Sequence, residues 1–262
     1  MESTAKIIQA QKVSNIIPFS FVVEEHKNNI EENITHCNKP SLSGKSCEVY
    51  AFRTEEEIQK MIEVLDQHIV NALDENKRQI AYRNKLLFVI GINVGLRASD
   101  LRLLKYSFFF EVNDNYNIVF KDYYTIQPKK TKKTKKFVKI FLNQTVKKMI
   151  TDYINEYPVN DLNDYLFTSR KGDEPILERT LWRIIKETAD EAGIKQNIGS
   201  HSLRKTWGYW CWHNAEDKNK ALVILQECFN HSSSLTTMKY IGLVDEEKSE
   251  MYNSIELGFD YI

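Results

Sequence analysis

The spacing of apolar residues predicts a mainly helical chain after about residue 50. Thr54 followed by Glu57 has the pattern of a capping box, so a helix should begin directly after Thr54. From Ile58 to Leu73, apolar residues recur at the spacing of one helix face. A second predicted helix, about 80–94, is apolar on nearly all sides, as expected of a buried central helix. Further helices are predicted over about 145–156, 178–191, 202–213, 217–229, 234–241 and 245–257.

Two hairpins interrupt this helical pattern. The turn-forming sequence Asn113-Asp114-Asn115 separates the first pair of strand-like runs, and a lysine-rich stretch separates the second pair. Each pair is short, so the sheet content of the fold should be small. The four predicted strands are 108–112, 117–120, 123–127 and 137–142.

The predicted elements fall in one part of the chain. Residues 1–50 are polar and irregular, which favours a poorly structured leader, and residues 51–262 are predicted to form one domain. Hydrophobic residues make up 42% and charged residues 27% of the 262 residues, as in ordinary globular proteins. No apolar run is long enough to cross a membrane, and the polar start of the chain does not resemble a secretory signal.

The cysteines lack the paired C-x-x-C spacing, which favours free thiols in a reducing cytoplasm. His36, Cys37 and Cys47 lie close together along the chain, but their spacing is not that of a zinc site. The sequence therefore predicts a cytoplasmic protein that binds no metal. The four cysteines are Cys37, Cys47, Cys211 and Cys228.

The formal net charge of zero argues against nucleic-acid binding, because contacts with phosphates dominate the affinity for DNA. The distribution of charge points the other way. One short stretch of the second hairpin contains seven lysines and no acid, while acidic residues cluster at predicted helix starts. A basic face can therefore form on a neutral chain. The lysines are Lys129, Lys130, Lys132, Lys133, Lys135, Lys136 and Lys139.

Five residues supply the chemistry for a reaction on a phosphate. Arg97 and Arg204 carry planar guanidiniums, which can hold a phosphate from two sides and stay charged at neutral pH. His201 precedes Arg204 by three residues, so the two share a helix face. Tyr240, nine residues after His231, is a potential nucleophile. With an ordinary pKa near 10, a tyrosine hydroxyl needs a proton acceptor and a positive field to react at neutral pH.

In their order and spacing, these residues resemble the active site of the tyrosine recombinases, the phage-integrase family of DNA strand-exchange enzymes. The resemblance covers about residues 51–262. Three segments carry it, Gly95–Asp100, Ser200–Thr206 and Phe229–Thr237, followed by Tyr240. Phe229 and Asn230 depart from the Leu-Gly that usually precedes the third-motif histidine. The aromatic residues after the second motif are interpreted as packing residues: Trp207, Tyr209, Trp210 and Trp212.

The resemblance implies a mainly α (α+β) catalytic domain with a small three-stranded antiparallel sheet. The implied reaction is a transesterification that needs neither metal nor other cofactor. Arg97, Arg204 and His231 would bind the scissile phosphate, and Asp100 would orient a guanidinium. Tyr240 would attack the phosphorus and form a 3′-phosphotyrosine bond, with His201 assisting removal of its proton.

The family also carries a lysine in the second hairpin, which protonates the departing 5′ oxygen. Lys133, followed by Thr134 and alternating apolar residues, fits that position, and Lys130 is the alternative. The other lysines are predicted to contact DNA phosphates: Lys129, Lys130, Lys132, Lys135, Lys136 and, from the second motif, Lys205.

The implied partner is double-stranded DNA, with four copies of the chain assembled on two synapsed sites. The family usually has a helical core-binding domain before the catalytic one, and here residues 1–50 stand in that place. A second protein could therefore complete the grip on DNA. Two other functions stay open, a type IB topoisomerase and a non-catalytic DNA-binding regulator derived from a recombinase. The resemblance does not distinguish integration from excision or resolution.

Overall fold

The computed structural model describes residues 49–113, 117–127, 137–170 and 172–255, with the side chains of 245–247 left out. The predicted leader, except for its last two residues, lies outside these ranges. So does the lysine-rich connection between the second pair of strands, including Lys129, Lys130 and Lys132, as well as Lys133, Lys135 and Lys136.

Helices dominate the described part of the chain, as predicted. The predicted bounds agree with the structure to within a few residues, apart from an earlier start of the second helix. The helices are α1 (Glu55–Val70), α2 (Glu75–Val94), α3 (Ala98–Leu101), α4 (Gln144–Glu156), α5 (Glu178–Glu191), α6 (Ser200–His213), α7 (Lys218–Phe229), α8 (Ser234–Ile241) and α9 (Leu243–Asn253), with a short 3-10 helix at Tyr106–Phe108.

The strands pair differently from the expected three-stranded sheet. Within the described residues they form three separate two-stranded antiparallel sheets. The two residues that link the predicted hairpins explain the difference: the Lys121 amide donates to the Phe109 carbonyl at 2.8 Å, and the Asp122 carbonyl accepts from the Leu142 amide at 2.9 Å. Each linking residue therefore closes its own hairpin. The strands are β1 (Phe110–Val112), β2 (Ile118–Phe120), β3 (Tyr123–Ile126), β4 (Val138–Phe141), β5 (Thr168–Ser169) and β6 (Gly172–Pro175).

The core is built around α2, which packs against α1, α4 and α6. Its apolar side chains, among them Leu86, Leu87 and Ile90, are fully buried, which explains why the sequence is apolar on nearly all sides of this helix. A second, smaller cluster lies on the other side of α6 and is formed with α7 and α8; Leu225, Phe229 and Ile241 lie at its centre. Helix α6 thus lies between two apolar clusters. None of the helices described is long and apolar enough to span a membrane.

Two helix ends fix the path of the chain, the start of α1 and the end of α2. Thr54 forms the predicted capping box with Glu57 at the start of α1. Gly95 ends α2 in the left-handed conformation (φ 62°), and a Cβ at this position would lie 2.2 Å from Cε3 of Trp207 on α6. Only glycine combines this backbone conformation with so close an approach. The end of α2 is therefore held directly against α6.

Phe52, which precedes α1, is joined to α6 by hydrogen bonds of its backbone. The Phe52 amide donates to Oγ1 of Thr206 at 2.8 Å, and Nε1 of Trp210 donates to the Phe52 carbonyl at 3.0 Å. Thr206 in turn donates its hydroxyl proton to the Ser202 carbonyl. Phe52 and Thr206 are both almost fully buried, so no water can replace these contacts.

We expect Thr206→Val to destabilise the domain. Valine keeps the side-chain shape but leaves the Phe52 amide buried without an acceptor, which costs about 1–3 kcal/mol in the free energy of unfolding. Urea denaturation measures the change. The matched control is Thr151→Val, because the Thr151 hydroxyl donates only to the Lys147 carbonyl of its own helix. We expect the control to change the free energy of unfolding by less than about 0.5 kcal/mol; equal losses for both variants would contradict the role of the buried contact.

Candidate active site

Arg204 is the buried centre of the predicted cluster. Only 6% of its surface is exposed, and its guanidinium donates to backbone carbonyls at the ends of two helices. Nη1 donates to Gly95, which ends α2, and Nη2 donates to Cys228 in the last turn of α7 at 3.4 Å. The guanidinium also lies 4.5 Å from the ring centre of Phe229. The partial negative charge at the ends of two helices and the face of an aromatic ring therefore stabilise this cation.

Arg97 reaches the same helix end from another direction. It lies directly before α3, and Nη2 donates to the Phe229 carbonyl at 3.3 Å. The end of α7 therefore receives both guanidiniums. The pKa of Arg204 is lowered to about 10, chiefly by burial and also by the charge of Arg97, although Tyr240 and the buried Asp100 act to raise it. At neutral pH Arg204 stays charged. Asp100 thus acts on the guanidinium of Arg204 through its charge, and its role in orienting a guanidinium stays a prediction.

The turn between α7 and α8 places His231 beside the arginines. Asn230 ends α7 in the left-handed conformation (φ 56°), and the His231 amide donates to the Gln226 carbonyl at 3.0 Å. The imidazole ring lies 5.2 Å from the Phe229 ring, measured between ring centres. Burial and the charges of Arg204 and Arg97 lower the pKa of His231 below its ordinary value. The ring is therefore neutral at pH 7.

Tyr240 lies on α8, next to His231 and Arg204. Its ring centre is 5.1 Å from that of His231, and the two rings meet edge to face. Burial raises the pKa of Tyr240, whereas the charges of Arg204 and Arg97 and a hydrogen bond from Arg204 lower it. The hydroxyl is therefore protonated at rest, but it lies in the positive field that a tyrosinate requires. Among the thirteen tyrosines of the chain, Tyr240 is the one that α8 brings to this cluster.

His201 and Lys205 flank Arg204 on α6 but differ in exposure. His201 is exposed, in the first turn of the helix and on the same face as Arg204. Lys205 is only 6% exposed, and its Nζ lies 5.4 Å from the ring centre of Tyr240. The Lys205 side chain therefore packs against the ring of Tyr240, and its contact with DNA stays a prediction.

A cleft of about 1000 Å³ separates the arginines from the second hairpin. Gly95, Arg97 and Arg204 line one side, and Phe137–Phe141, which includes β4, lines another. Asn230, the neighbour of His231, lies at its edge. The described residues contain no group of three or more acidic, histidine or cysteine side chains placed to hold a metal ion.

Several groups of the site could not be identified from residue types. The carbonyls that hold the arginines belong to Gly95, Cys228 and Phe229, and a backbone oxygen leaves no signal in a side-chain pattern. Phe229 was noted only as a departure from the family motif, yet its ring touches Arg204, His231 and Tyr240. The Thr237 hydroxyl lies 3.1 Å from Nδ1 of His231, and its full burial is a feature that only the structure reveals.

Comparisons with known proteins agree with this geometry. Residues 52–247 match the model of the phage integrase family. The probable integrase/recombinase YoeC of Bacillus subtilis is 34% identical over 69% of this chain and 90% of its own length. Tyrosine recombinase XerH of Campylobacter jejuni is 28% identical over 89% of this chain and 60% of its own length.

Solved structures share the fold at lower sequence identity. XerH bound to a palindromic difH substrate, in a post-cleavage complex, has a TM-score of 0.55 and 23% identity over 80% of this chain and 54% of that one. XerA recombinase has a TM-score of 0.55 and 21% identity over 82% of this chain and 66% of that one. The chain thus spans between half and two thirds of these structures. The match to the family model, together with the convergence of the predicted residues, establishes that the chain belongs to the phage integrase family and carries its tyrosine recombinase catalytic domain.

Proposed function

We propose that this chain is a site-specific DNA recombinase that cleaves and rejoins strands through a 3′-phosphotyrosine intermediate. The observation that carries the proposal is the convergence of two guanidiniums, an imidazole and a tyrosine around Phe229, with Arg97 at its carbonyl and the other three groups at its ring. These groups come from four places in the chain, the start of α3, α6, the α7–α8 turn and α8. Phosphoryl transfer needs positive charge at the nonbridging oxygens and a nucleophile beside them, and this set supplies both.

The reaction follows from what each group can do. Arg97 and Arg204 bind the nonbridging oxygens of the scissile phosphate and stabilise the charge that accumulates there. The Tyr240 oxygen forms a bond to phosphorus as the bond from phosphorus to the 5′ oxygen breaks. The hydroxyl proton passes to a histidine, for which the family resemblance suggests His201. A 5′ hydroxyl then reverses the step and reseals the strand, so the energy of the phosphodiester bond is conserved.

Lys133 is proposed as the acid that protonates the departing 5′ oxygen. It lies outside the described residues, but the register of the hairpin bears on it. In this hairpin Tyr123 pairs with Phe141, and Ile126 pairs with Val138. Phe137, the residue directly before Val138, lines the cleft beside the arginines. Lys133 therefore lies four positions along the chain from a residue of the cleft. The remaining lysines of the connection are proposed to contact DNA phosphates.

The proposed partner is duplex DNA, bound in the cytoplasm by four copies of the chain on two synapsed sites. Helix α9 and the residues directly after it leave large apolar side chains on the surface: Met251 is 69% exposed, Tyr252 79% and Ile255 64%. We propose that they pack against a neighbouring copy; light scattering of the synapsed complex would count the copies. The second protein considered above stays a prediction.

A recombinase is favoured over the two alternatives. A regulator without activity has no need to keep a tyrosine hydroxyl beside the buried guanidinium of Arg204 and the half-buried one of Arg97. The relatives described above are named as recombinases, not topoisomerases. Relaxation of supercoiled plasmid without paired sites would instead favour the topoisomerase.

We expect Tyr240→Phe to abolish every covalent protein–DNA adduct while it leaves DNA affinity within about threefold of the unaltered chain, because only the hydroxyl is removed. Denaturing gels of the protein incubated with DNA that carries its recombination site measure the adduct. Tyr165→Phe, at a tyrosine whose ring contacts Lys105 and none of the site residues named above, is the matched control and should keep full adduct formation. Adducts that persist in Tyr240→Phe would show that another residue is the nucleophile.

We expect Lys133→Ala to slow cleavage by about 10²–10⁴-fold with little change in affinity, as the loss of a general acid does. A substrate with sulfur in place of the bridging 5′ oxygen needs no proton to leave, so it should restore cleavage. Lys136→Ala is the control and should weaken binding at all sequences without a response to sulfur. Rescue of Lys130→Ala instead would move the acid by three residues, and rescue of neither would place the acid outside this hairpin.

A further inference from the structure

Arg53 precedes α1, and its guanidinium binds the end of a different helix, α8. Nη2 of Arg53 donates to the Gly242 carbonyl at 2.8 Å and to the Ile241 carbonyl at 3.3 Å. The guanidinium carbon lies 5.3 Å from the ring centre of Tyr50 and 5.2 Å from that of Tyr209. Carbonyls at the end of a helix carry partial negative charge, which a cation stabilises. Arg53 therefore caps the helix that carries Tyr240.

Gly242 makes room for this guanidinium. It ends α8 in the left-handed conformation (φ 82°), and a Cβ at this position would lie 2.1 Å from Nη2 of Arg53. Only glycine combines that backbone conformation with so close an approach. The neighbouring Ile241 is fully buried in the second apolar cluster. The Arg53 contact therefore requires glycine at the junction between α8 and α9.

The contact lies next to the nucleophile along the chain. Tyr240 is in the last turn of α8, directly before Ile241. Helix α8 has only eight residues; the Ser233 side chain caps its first turn, and Arg53 binds its last turn. A helix frays from its ends unless its terminal groups are bound. Arg53 therefore restrains the turn from which the Tyr240 side chain extends.

The residue beside Arg53 binds the other helix of the site. The Phe52 amide donates to Oγ1 of Thr206 on α6, as described above. Helix α6 carries Arg204, and α8 carries Tyr240. Two consecutive residues, Phe52 and Arg53, thus join the helix of the phosphate-binding guanidinium to the helix of the nucleophile. The reaction described above makes no use of this connection.

We propose that Arg53 is a positioning residue, which holds the end of α8 so that the Tyr240 oxygen meets the phosphate bound by Arg204. The inference rests on the proposed function, and in this role Arg53 touches neither the phosphate nor the reacting atoms. Attack requires reacting atoms about 3–3.5 Å apart, and a displacement of about 1 Å can slow a reaction about 10²-fold. Loss of the Arg53 contact should therefore slow cleavage without weakening DNA binding.

The first test removes the guanidinium with Arg53→Met and uses the substrate with a bridging 5′ sulfur at saturating concentration. The thiol released from this substrate is a weak nucleophile towards phosphorus, so the covalent adduct accumulates. We expect the adduct to form about 10–100-fold more slowly, at unchanged affinity for DNA. Arg53→Lys keeps a cation that can donate to the same carbonyls, and it should recover part of the rate. An unchanged rate for Arg53→Met would overturn the proposal.

Lys218→Met is the matched control. Nζ of Lys218 donates to the Trp212 carbonyl at 3.0 Å and to the His213 carbonyl, and it lies 5.0 Å from the Trp212 ring centre. This is the same kind of contact, a cation on helix-end carbonyls beside an aromatic ring, but at the end of α6 opposite to His201. The control should form adducts at the rate of the unaltered chain. Equal slowing in both methionine variants would overturn the proposal.

The final amount of adduct separates a displaced tyrosine from a loss of folded protein. An unfolded fraction lowers the final amount but leaves the rate of the folded fraction unchanged. A displaced tyrosine lowers the rate and leaves the final amount unchanged. We expect the second pattern for Arg53→Met, and the first pattern would overturn the proposal.

The second test disturbs the same contact from the side of α8. Gly242→Ala places a Cβ against Nη2 of Arg53, whereas a Cβ at Gly193 would meet no atom within 4 Å. Both glycines have positive φ, 82° and 71°, so Gly193→Ala shares the backbone strain and is the control. We expect slow cleavage for Gly242→Ala alone, and no further slowing when Arg53→Met is added, because both changes remove one contact. Equal rates for the two alanine variants would overturn the proposal.

Hydrogen exchange without DNA tests the contact independently of cleavage. The amides in the last turn of α8 should exchange faster in Arg53→Met than in the unaltered chain or in Lys218→Met. Unchanged exchange would overturn the inference even if the chain recombines DNA. An absence of adducts from the unaltered chain, with the expected exchange, would instead overturn the proposed function and leave the contact of Arg53 with α8.

Discussion

The site depends on one buried cation, the guanidinium of Arg204, and on the carbonyls that bind it. Burying a charge is unfavourable unless hydrogen bonds and opposite partial charges replace water. Here the ends of α2 and α7 supply the carbonyls, the Phe229 ring supplies an aromatic face, and Asp100 supplies a negative charge. Each hydrogen bond to such a charge contributes about 1.5–3 kcal/mol. The same contacts that stabilise the cation fix three helices relative to one another, so stability and site geometry have a common origin.

That arrangement explains how the Tyr240 hydroxyl can stay protonated without DNA and yet lie where its ionised form is stabilised. Two guanidiniums near each other repel, and the protein maintains this repulsion through the carbonyls at the end of α7. A bound phosphate would relieve it, which makes the cluster complementary to an anion. Burial keeps Tyr240 protonated in the absence of DNA, while the field of Arg97 and Arg204 favours its ionised form. Burial and the positive charges thus act in opposite directions on the pKa of Tyr240.

Much of the fold and the reacting groups could be predicted from the sequence. Thr54 marked the start of α1 through its side-chain chemistry. The order of Arg97, His201, Arg204, His231 and Tyr240 predicted a cluster, and the structure brings Arg97, Arg204, His231 and Tyr240 close together. The separate pairing of the strands could not be predicted, because the backbone bonds of two linking residues decide it. The β5–β6 hairpin was missed because its sequence, rich in charged residues around Gly172, lacks the alternation of a buried strand.

The groups that support the site could not be predicted from the sequence either. Carbonyl oxygens belong to every residue type, so the oxygens that hold Arg97 and Arg204 have no sequence pattern. The burial of Lys205 follows from the packing of α8 over α6, a long-range contact that charge alone does not reveal. The contact between Thr237 and His231 depends on a turn that brings His231 back over α8. In each case the deciding interaction joins different elements of the fold or uses the backbone.

The central claim is that the two guanidiniums act by neutralising the charge on the scissile phosphate. Replacing one nonbridging oxygen by a methyl group removes that charge and leaves the leaving group unchanged. We expect Arg97→Ala to reduce cleavage of the ordinary phosphate by about 10²–10³-fold, the effect of losing one donor to a developing charge. On the methylphosphonate substrate, the same variant should differ from the unaltered chain by less than about tenfold. Equal losses on both substrates would contradict the claim and assign Arg97 a purely structural role.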